Sequence, residues 1–421
     1  MNMVHGEVWT LKELFVYPNE YIYWSIQIVM YPFMTGLVAG AFVLSSLYHV
    51  FGVKQLKEIA RFSLVFSLAL LPVAMMPLML HLQQPQRGIY VMMTPHFTSA
   101  IAAFGIVFTT YGMIVLSEIW FVYRRYIVEM VLELRGKQQR SAMETVQLAL
   151  YSLLSLGAMD LTPQALHKDE RAVGFLAGLG IPVACFLHGY AGFIFGSVKA
   201  NALWMTPLMP VIFICSAVVS GIALCIVTYI IVMELRRAIF NWKHRKNLSV
   251  PDLAEPRSAE ILTVTMTSKY LVMFMVLAIT LELLDLIFRN YTAVKSWDIL
   301  RSVIYEKDFF KIFVLQYGFG NVIPLIIFLL PGLTIRRALV GGVLVLMGVF
   351  MMRWNVVIGG QAFSASFSGF MEYRLPIWPH SMETFKEGLF GALLVMATPF
   401  ILFYGVTRIL PVIDVKESHE P

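Results

Sequence analysis

The chain has 421 residues, of which 58% are hydrophobic and 14% charged, with a formal net charge of +6. A soluble domain carries roughly 25% charged residues, so this composition excludes a water-covered globule and indicates an all-α integral membrane protein. Its three cysteines, Cys185, Cys215 and Cys225, lie in apolar stretches without a Cys-x-x-Cys pair. That excludes an intrinsic iron–sulfur cluster, which needs about four thiolates, and argues against a structural disulfide.

The N-terminus shows no basic region followed by a short apolar run and a cleavage site, so no removable signal peptide is expected. Apolar runs long enough to cross a bilayer occur at 22–50, 59–82, 95–124, 172–197, 206–235, 266–289, 309–331, 335–352 and 385–410. Segment 141–158 is marginal in length and is followed by the polar DLTPQALHKDER. If it does not cross, nine spans collect most of the 32 Lys and Arg residues on one face. If it crosses, the two most basic loops fall on opposite faces. The positive-inside rule therefore favours nine spans, an outside N-terminus and a cytoplasmic C-terminus. Segment 141–158 is then an interfacial or re-entrant helix, with ten spans as the alternative. Gly36-x-x-x-Gly40, Gly174-x-x-x-Gly178 and Gly192-x-x-x-Gly196 offer close helix approach in lipid.

Polar side chains inside a bilayer are costly and mark function by default. Gln27 and Tyr31 lie in the first half of span one, His81 closes span two and His96 opens span three. His188 and Tyr190 lie in the outer half of span four. Together they offer hydrogen bonds at similar depth beside apolar surface, which is what a quinone ring with two carbonyls needs. Singly, each has a structural reading: headgroup-level histidines, aromatic-belt tyrosines, an inter-helix Gln. Glu118, Glu282, Asp285 and Arg353 are buried ionisable candidates for a proton path. Glu282 and Asp285 share a helix face as a relay, a partner for Arg353 or an inter-bundle salt bridge. Facing histidines for a bis-His haem are not found in the spans.

Specific stretches then carry a likeness. They are YPFMTGLVAGAF in span one, LHLQQPQRG after span two and TPHFTSAIAAFG opening span three. HGYAGFIFGSVKANALWMTPLMP joins spans four and five, and MRWNVVIGGQ ends span eight. On these residues the chain resembles the NrfD/PsrC family of polysulfide-reductase-type membrane subunits. The last stretch points to its longer branch, with the membrane subunits of periplasm-facing hydrogenases, Dsr-type complexes and quinone reductase complexes of sulfate reducers. The resemblance implies two four-helix bundles, a quinone near the outer face of the first, no redox centre of the subunit's own and a docked ferredoxin-like iron–sulfur subunit. Residue by residue, Gln27 stands for a quinone-contacting Asn and Tyr31 for a His. Tyr190 and Gly192 match the family's Tyr and nearby Gly, and His81 replaces an acid. The class of ligand is kept, and a His at position 81 still accepts a proton near neutral pH.

The resulting expectation is a first bundle over 1–205, a second over 206–352 and an outer docking loop with a ninth span over 353–421. The expected function is a quinone-binding (menaquinone) subunit in an inner, cytoplasmic membrane. It would exchange electrons with a periplasmic iron–sulfur subunit and, through it, with a multihaem cytochrome or molybdopterin-type subunit, with proton translocation as a possible coupling. Catalytic roles fall to His81 and His96, and binding roles to Gln27, Tyr31, His188, Tyr190 and Gly192. The outer loop 352–384 is read as the docking surface, or alternatively as a loop closing over the second bundle. A proton-coupled secondary transporter is the competing class, although matched Gly/Pro-broken helices are not evident in the two halves.

Overall fold

The computed structural model describes residues 21–412 apart from 97, 100, 199–200, 202, 245–257, 292–296 and 365–368. Among the described residues the chain is mainly helical, and eight helices are long and apolar enough to cross a membrane. Of the basic residues that favour a cytoplasmic C-terminus, Arg245, Lys246, Arg257 and Lys416 lie outside the described residues, as do Lys199 and Ala202 of the motif joining spans four and five.

Helix α1 (Ile26–His49) is capped by Ser25, whose hydroxyl accepts the Gln27 N–H. The sequence's second span forms two pieces, α2 (Lys57–Leu70) and α3 (Met76–His81). Pro72 and Pro77 each remove an N–H and crowd the preceding turn, which explains the break between them. The sequence predicted a crossing here, and neither piece alone is long enough to cross. Helix α4 (Phe104–Gly136) begins nine residues later than expected and has 33 residues, about 50 Å of helix. It therefore outruns a hydrocarbon core of about 30 Å.

The marginal segment becomes α5 (Ala142–Leu154), 13 residues opened by a Ser141/Glu144 capping box. At about 20 Å it is too short to cross. It lies against α4, where Trp120 Nε1 donates to the Leu154 carbonyl at 2.9 Å. Arg124 closes the same corner, pairing with Asp169 at 2.5 Å and donating to the Asp160 carbonyl at 2.6 Å. Helix α6 (Pro163–Gly196) then returns and completes the first bundle. We call the membrane face at which α1 begins proximal, and that of α5 distal.

The second bundle comprises α7 (Met209–His244), α8 (Ser258–Tyr291), α9 (Phe310–Leu329) and α10 (Ile335–Val357). Residues 310–322 of α9 are π-helical. Helix α1 is buried throughout its most apolar window and α7 over 89% of its own, whereas α8 is 22% buried. The central pair thus sits inside a ring whose outward apolar side chains suit lipid. Helices α1 and α7 cross at Gly40 and Gly221, where a Cβ on either would collide with the other's backbone. Gly192 and Gly196 likewise let α6 approach Met209 and Thr206. Gly174 and Gly178 meet no close neighbour, so their small-residue motif makes no such contact.

After α10 the chain lies across the proximal ends of both bundles. The Ile22 N–H donates to the Glu372 carbonyl at 2.8 Å, Tyr373 packs edge-on against Trp354, and Lys307 Nζ donates to the Met371 carbonyl. The short α11 (Met382–Glu387) leads into α12 (Leu389–Thr407). That last span packs on α2, with Phe403 against Phe62 (4.9 Å) and Phe66 (5.0 Å). The C-terminal span therefore rejoins the first bundle.

Candidate functional site

The proximal end of the first bundle gathers residues from α1, α3, α4, α6 and the returning chain. Gln27, in the first turn of α1, is fully buried. Its Nε2 donates to the Lys386 carbonyl at 2.6 Å, while its Oε1 has no hydrogen-bond partner among the described residues. Beside it, His81 Nδ1 lies 3.0 Å from the Ser25 hydroxyl and 3.4 Å from Glu387 Oε1. One turn along α1, the buried Tyr31 ring meets Phe104 edge-on at 5.7 Å. Phe104 in turn faces Tyr190 at 6.4 Å, and Tyr190 is flanked by Phe186 and Phe193 at 5.8 Å each. An aromatic wall thus runs beside a buried amide and a carboxylate-paired imidazole. Such an arrangement can hold a flat apolar ring and exchange protons at its polar edge.

Four of the expected residues thus stand at this end: His81 meets Ser25 beside Gln27, and Tyr31 is linked to Tyr190 through Phe104. The other three expected residues stand elsewhere. His96 is exposed and bonds within its own turn, to the Thr98 hydroxyl at 2.8 Å. Gly192 backs onto α7, where an added Cβ would sit 2.8 Å from the Met209 oxygen; its smallness serves helix packing. His188, two positions from Tyr190, points to the opposite side of α6. Phe104, Ser25 and Glu387 were not singled out from sequence. Phe104 lies within the quoted TPHFTSAIAAFG stretch, whereas Glu387 gave no local signal.

His188 belongs to the seam between the bundles. It is fully buried, with Nδ1 3.3 Å from the Thr35 hydroxyl and Nε2 2.9 Å from Arg353 Nη2. Arg353 is also fully buried. It donates to the Ser216 hydroxyl at 2.7 Å and stacks over Phe213 at 3.9 Å, a cation–π contact of about 2 kcal/mol when desolvated. No carboxylate among the described residues lies within ion-pair distance of it, and its hydrogen-bond partners are the His188 imidazole and the Ser216 hydroxyl.

Those two acids line a cavity of about 120 Å³ in the second bundle, together with Arg289, Gln316, Tyr317 and Asn355. Asp285 accepts from the Thr206 hydroxyl at 2.5 Å and from Arg289 Nε at 2.8 Å. Glu282 accepts from Gln316 Nε2 at 2.9 Å, and Gln316 Oε1 accepts from Asn355 at 2.8 Å. Glu118 stands apart in α4, buried, with neither carboxylate oxygen hydrogen-bonded among the described residues. The four expected proton-path residues thus occupy three separate places.

Residues 17–365 match the family described as polysulphide reductase, NrfD. The chain belongs to the NrfD family. It is 25% identical over 413 residues to a selenate reductase subunit of Mesobacillus selenatarsenatis, covering 96% of this chain and 89% of that one. It is 24% identical over 347 residues to an Hdr-like menaquinol oxidoreductase integral membrane subunit of Archaeoglobus fulgidus, covering 81% and 71%. A third relative, a putative dimethyl sulfoxide reductase membrane subunit of Halobacterium salinarum, is 28% identical over 209 residues, 49% of this chain and 43% of that one.

The structure gives the NrfD-like stretches physical roles. Trp204 stacks on Trp24 at 5.4 Å and donates to the Val356 carbonyl at 2.5 Å, while Thr206 reaches Asp285. The Trp-x-Thr-Pro turn therefore ties the first bundle to the second. The MRWNVVIGGQ stretch supplies the other side of that joint: Arg353 to His188, Asn355 to Gln316, and Gly360, whose carbonyl accepts from Asn201 at 2.6 Å.

Proposed function

We propose that this chain is the quinone-binding membrane subunit of a respiratory reductase or quinol oxidoreductase complex. Its proximal face would be periplasmic and its substrate a quinone of the menaquinone type. The observation that carries the reading is the buried Gln27, with an unpaired carbonyl oxygen beside the His81–Glu387 pair and the Tyr31–Phe104–Tyr190 wall. A buried unpaired acceptor costs about 1–3 kcal/mol and is repaid by a ligand hydroxyl. In the oxidative direction, Gln27 Oε1 accepts a hydrogen bond from one quinol hydroxyl, and His81 takes the two hydroxyl protons in turn, releasing each at the proximal face, with Glu387 stabilising the imidazolium. The aromatic wall holds the ring. Oxidation of a quinol to a quinone releases two protons and two electrons, and with only three dispersed cysteines the electrons leave on a partner. A ferredoxin-like iron–sulfur subunit seated over the proximal face fits that need. The relatives are subunits of reductase and oxidoreductase complexes by name, one of them a menaquinol oxidoreductase, which supports such an assembly.

The test is quinol-dependent electron transfer in the complex purified from its native membrane. Gln27→Leu and His81→Gln should each lower turnover at least about tenfold, the loss of one oriented hydrogen bond or base, while the subunits still co-purify. Full activity in both variants would overturn the site.

A further inference from the structure

Arg353 is a fully buried charge at the seam between the two bundles. A guanidinium stays protonated in proteins, and a cation in a membrane interior is costly unless it is paired or serves a function. Arg353 is fully buried without an ion-pair partner among the described residues, and its Nε is unsatisfied.

Its hydrogen bonds have one direction. Because arginine only donates, His188 Nε2 must accept from it, which places the imidazole proton on Nδ1. That N–H donates to Thr35, and the Thr35 hydroxyl donates to the Tyr31 carbonyl at 3.1 Å. A second branch runs from Arg353 to the Ser216 hydroxyl, which donates to the Phe213 carbonyl at 3.0 Å. Both branches start at a group that cannot accept a proton and end on backbone carbonyls. Neither conducts one.

Both bundles hold buried acids. The second has the cavity with Glu282 and Asp285, whose wall includes Met352 and Asn355, the neighbours of Arg353 along α10. The first bundle holds Glu118 on α4, its carboxylate without hydrogen bonds among the described residues. Either acid site can hold a proton in transit, and a fixed positive charge at the seam between the bundles raises the energy of any proton that approaches it. Pores that exclude protons use arginine in this way.

We propose that Arg353 is an electrostatic barrier that prevents protons from passing between the cavity of the second bundle and the first bundle, with His188, Ser216 and Phe213 holding its charge in place. This reading goes beyond the quinone chemistry and stands without it.

The experiment uses the full-length chain in liposomes loaded with a pH-sensitive dye, with a potassium diffusion potential driving protons. The wild-type chain should be proton-tight, and Arg353→Lys, which keeps the charge, should remain so. Arg353→Gln should raise proton entry about tenfold, the order expected when one unit charge is removed from a buried site. Ser216→Asp places a carboxylate against the guanidinium, neutralising it while keeping Arg353, and should raise the rate similarly. It carries the test if Arg353→Gln fails to fold, as judged by thermal melting and gel filtration. A wild-type or slower rate in either folded variant would overturn the barrier.

Discussion

The proximal end of the first bundle and the cavity of the second are built from similar parts and use them differently. Each has carboxylate, amide and aromatic side chains close to the seam. In the second bundle the carboxylates are already engaged: Asp285 by Thr206 and Arg289, Glu282 by Gln316. In the first, a fully buried amide oxygen on Gln27 is unpaired among the described residues, and His81 shares its Nδ1 between a hydroxyl and a carboxylate. Polar groups that satisfy one another fix a structure, whereas polar groups aimed at an apolar slot await a substrate. The cavity does keep one unpaired acceptor, Asn355 Oδ1, so the contrast is one of degree and open to attack by mutation.

The largest effect should come from the joint that holds the two regions in register. Trp204 is buried, stacked on Trp24 and bonded to Val356. Trp204→Ala should destabilise the chain by about 3–5 kcal/mol, read as a lowered melting temperature in detergent. An unchanged melt would mean that the bundles hold together without the turn.

A smaller effect should separate structure from chemistry in the second bundle. Asp285→Asn leaves Arg289 without its carboxylate and should cost about 1–3 kcal/mol, while quinol turnover per folded complex stays at the wild-type level. A selective loss of turnover would move the chemistry into the cavity and erase the comparison.

The smallest effect belongs to the distal face, which serves as a control. The Lys137 ammonium and the Ser141 N–H and hydroxyl hold the Glu144 carboxyl down to about 2, from an ordinary 4.5. A carboxyl lowered on folding stabilises above its unfolded value and loses that contribution as pH falls through its folded value. Amide protection of α5 in hydrogen exchange should therefore decline between about pH 4.5 and 2, and stay flat across that range in Glu144→Gln. Proximal turnover should not respond to the substitution.

Much of this architecture was legible in the sequence because lipid imposes a simple rule: a crossing needs about 20 apolar residues. The rule gave the spans, and the basic loops demoted segment 141–158. It missed the break at Pro72 and the extension of α4 to Gly136, since prolines and amphipathic ends change helix geometry without changing mean hydropathy. Within the site, Gln27, Tyr31, His81 and Tyr190 were visible as polar residues at one depth. His188 was read into the same group, whereas the structure places it at the seam with Arg353, and a spacing of two from Tyr190 puts it on the opposite side of a helix. The cover over Gln27 was not readable, because it depends on a contact 359 positions away, at Lys386. The hydrogen-bond partners of Arg353 were not readable, because charge was the only cue available. Its neutral partner follows from which face of α10 turns toward α6 and α7.

The central claim, that the substrate ring sits at the proximal end of the first bundle, is most directly tested by photolabelling the native complex with an azido-quinone and mapping the modified peptides. The account expects label on the stretches around Gln27–Tyr31, His81, Phe104 and Tyr190, with protection by excess unmodified quinone. Protectable label confined to the peptides carrying Glu282, Asp285, Gln316 and Tyr317 would contradict it.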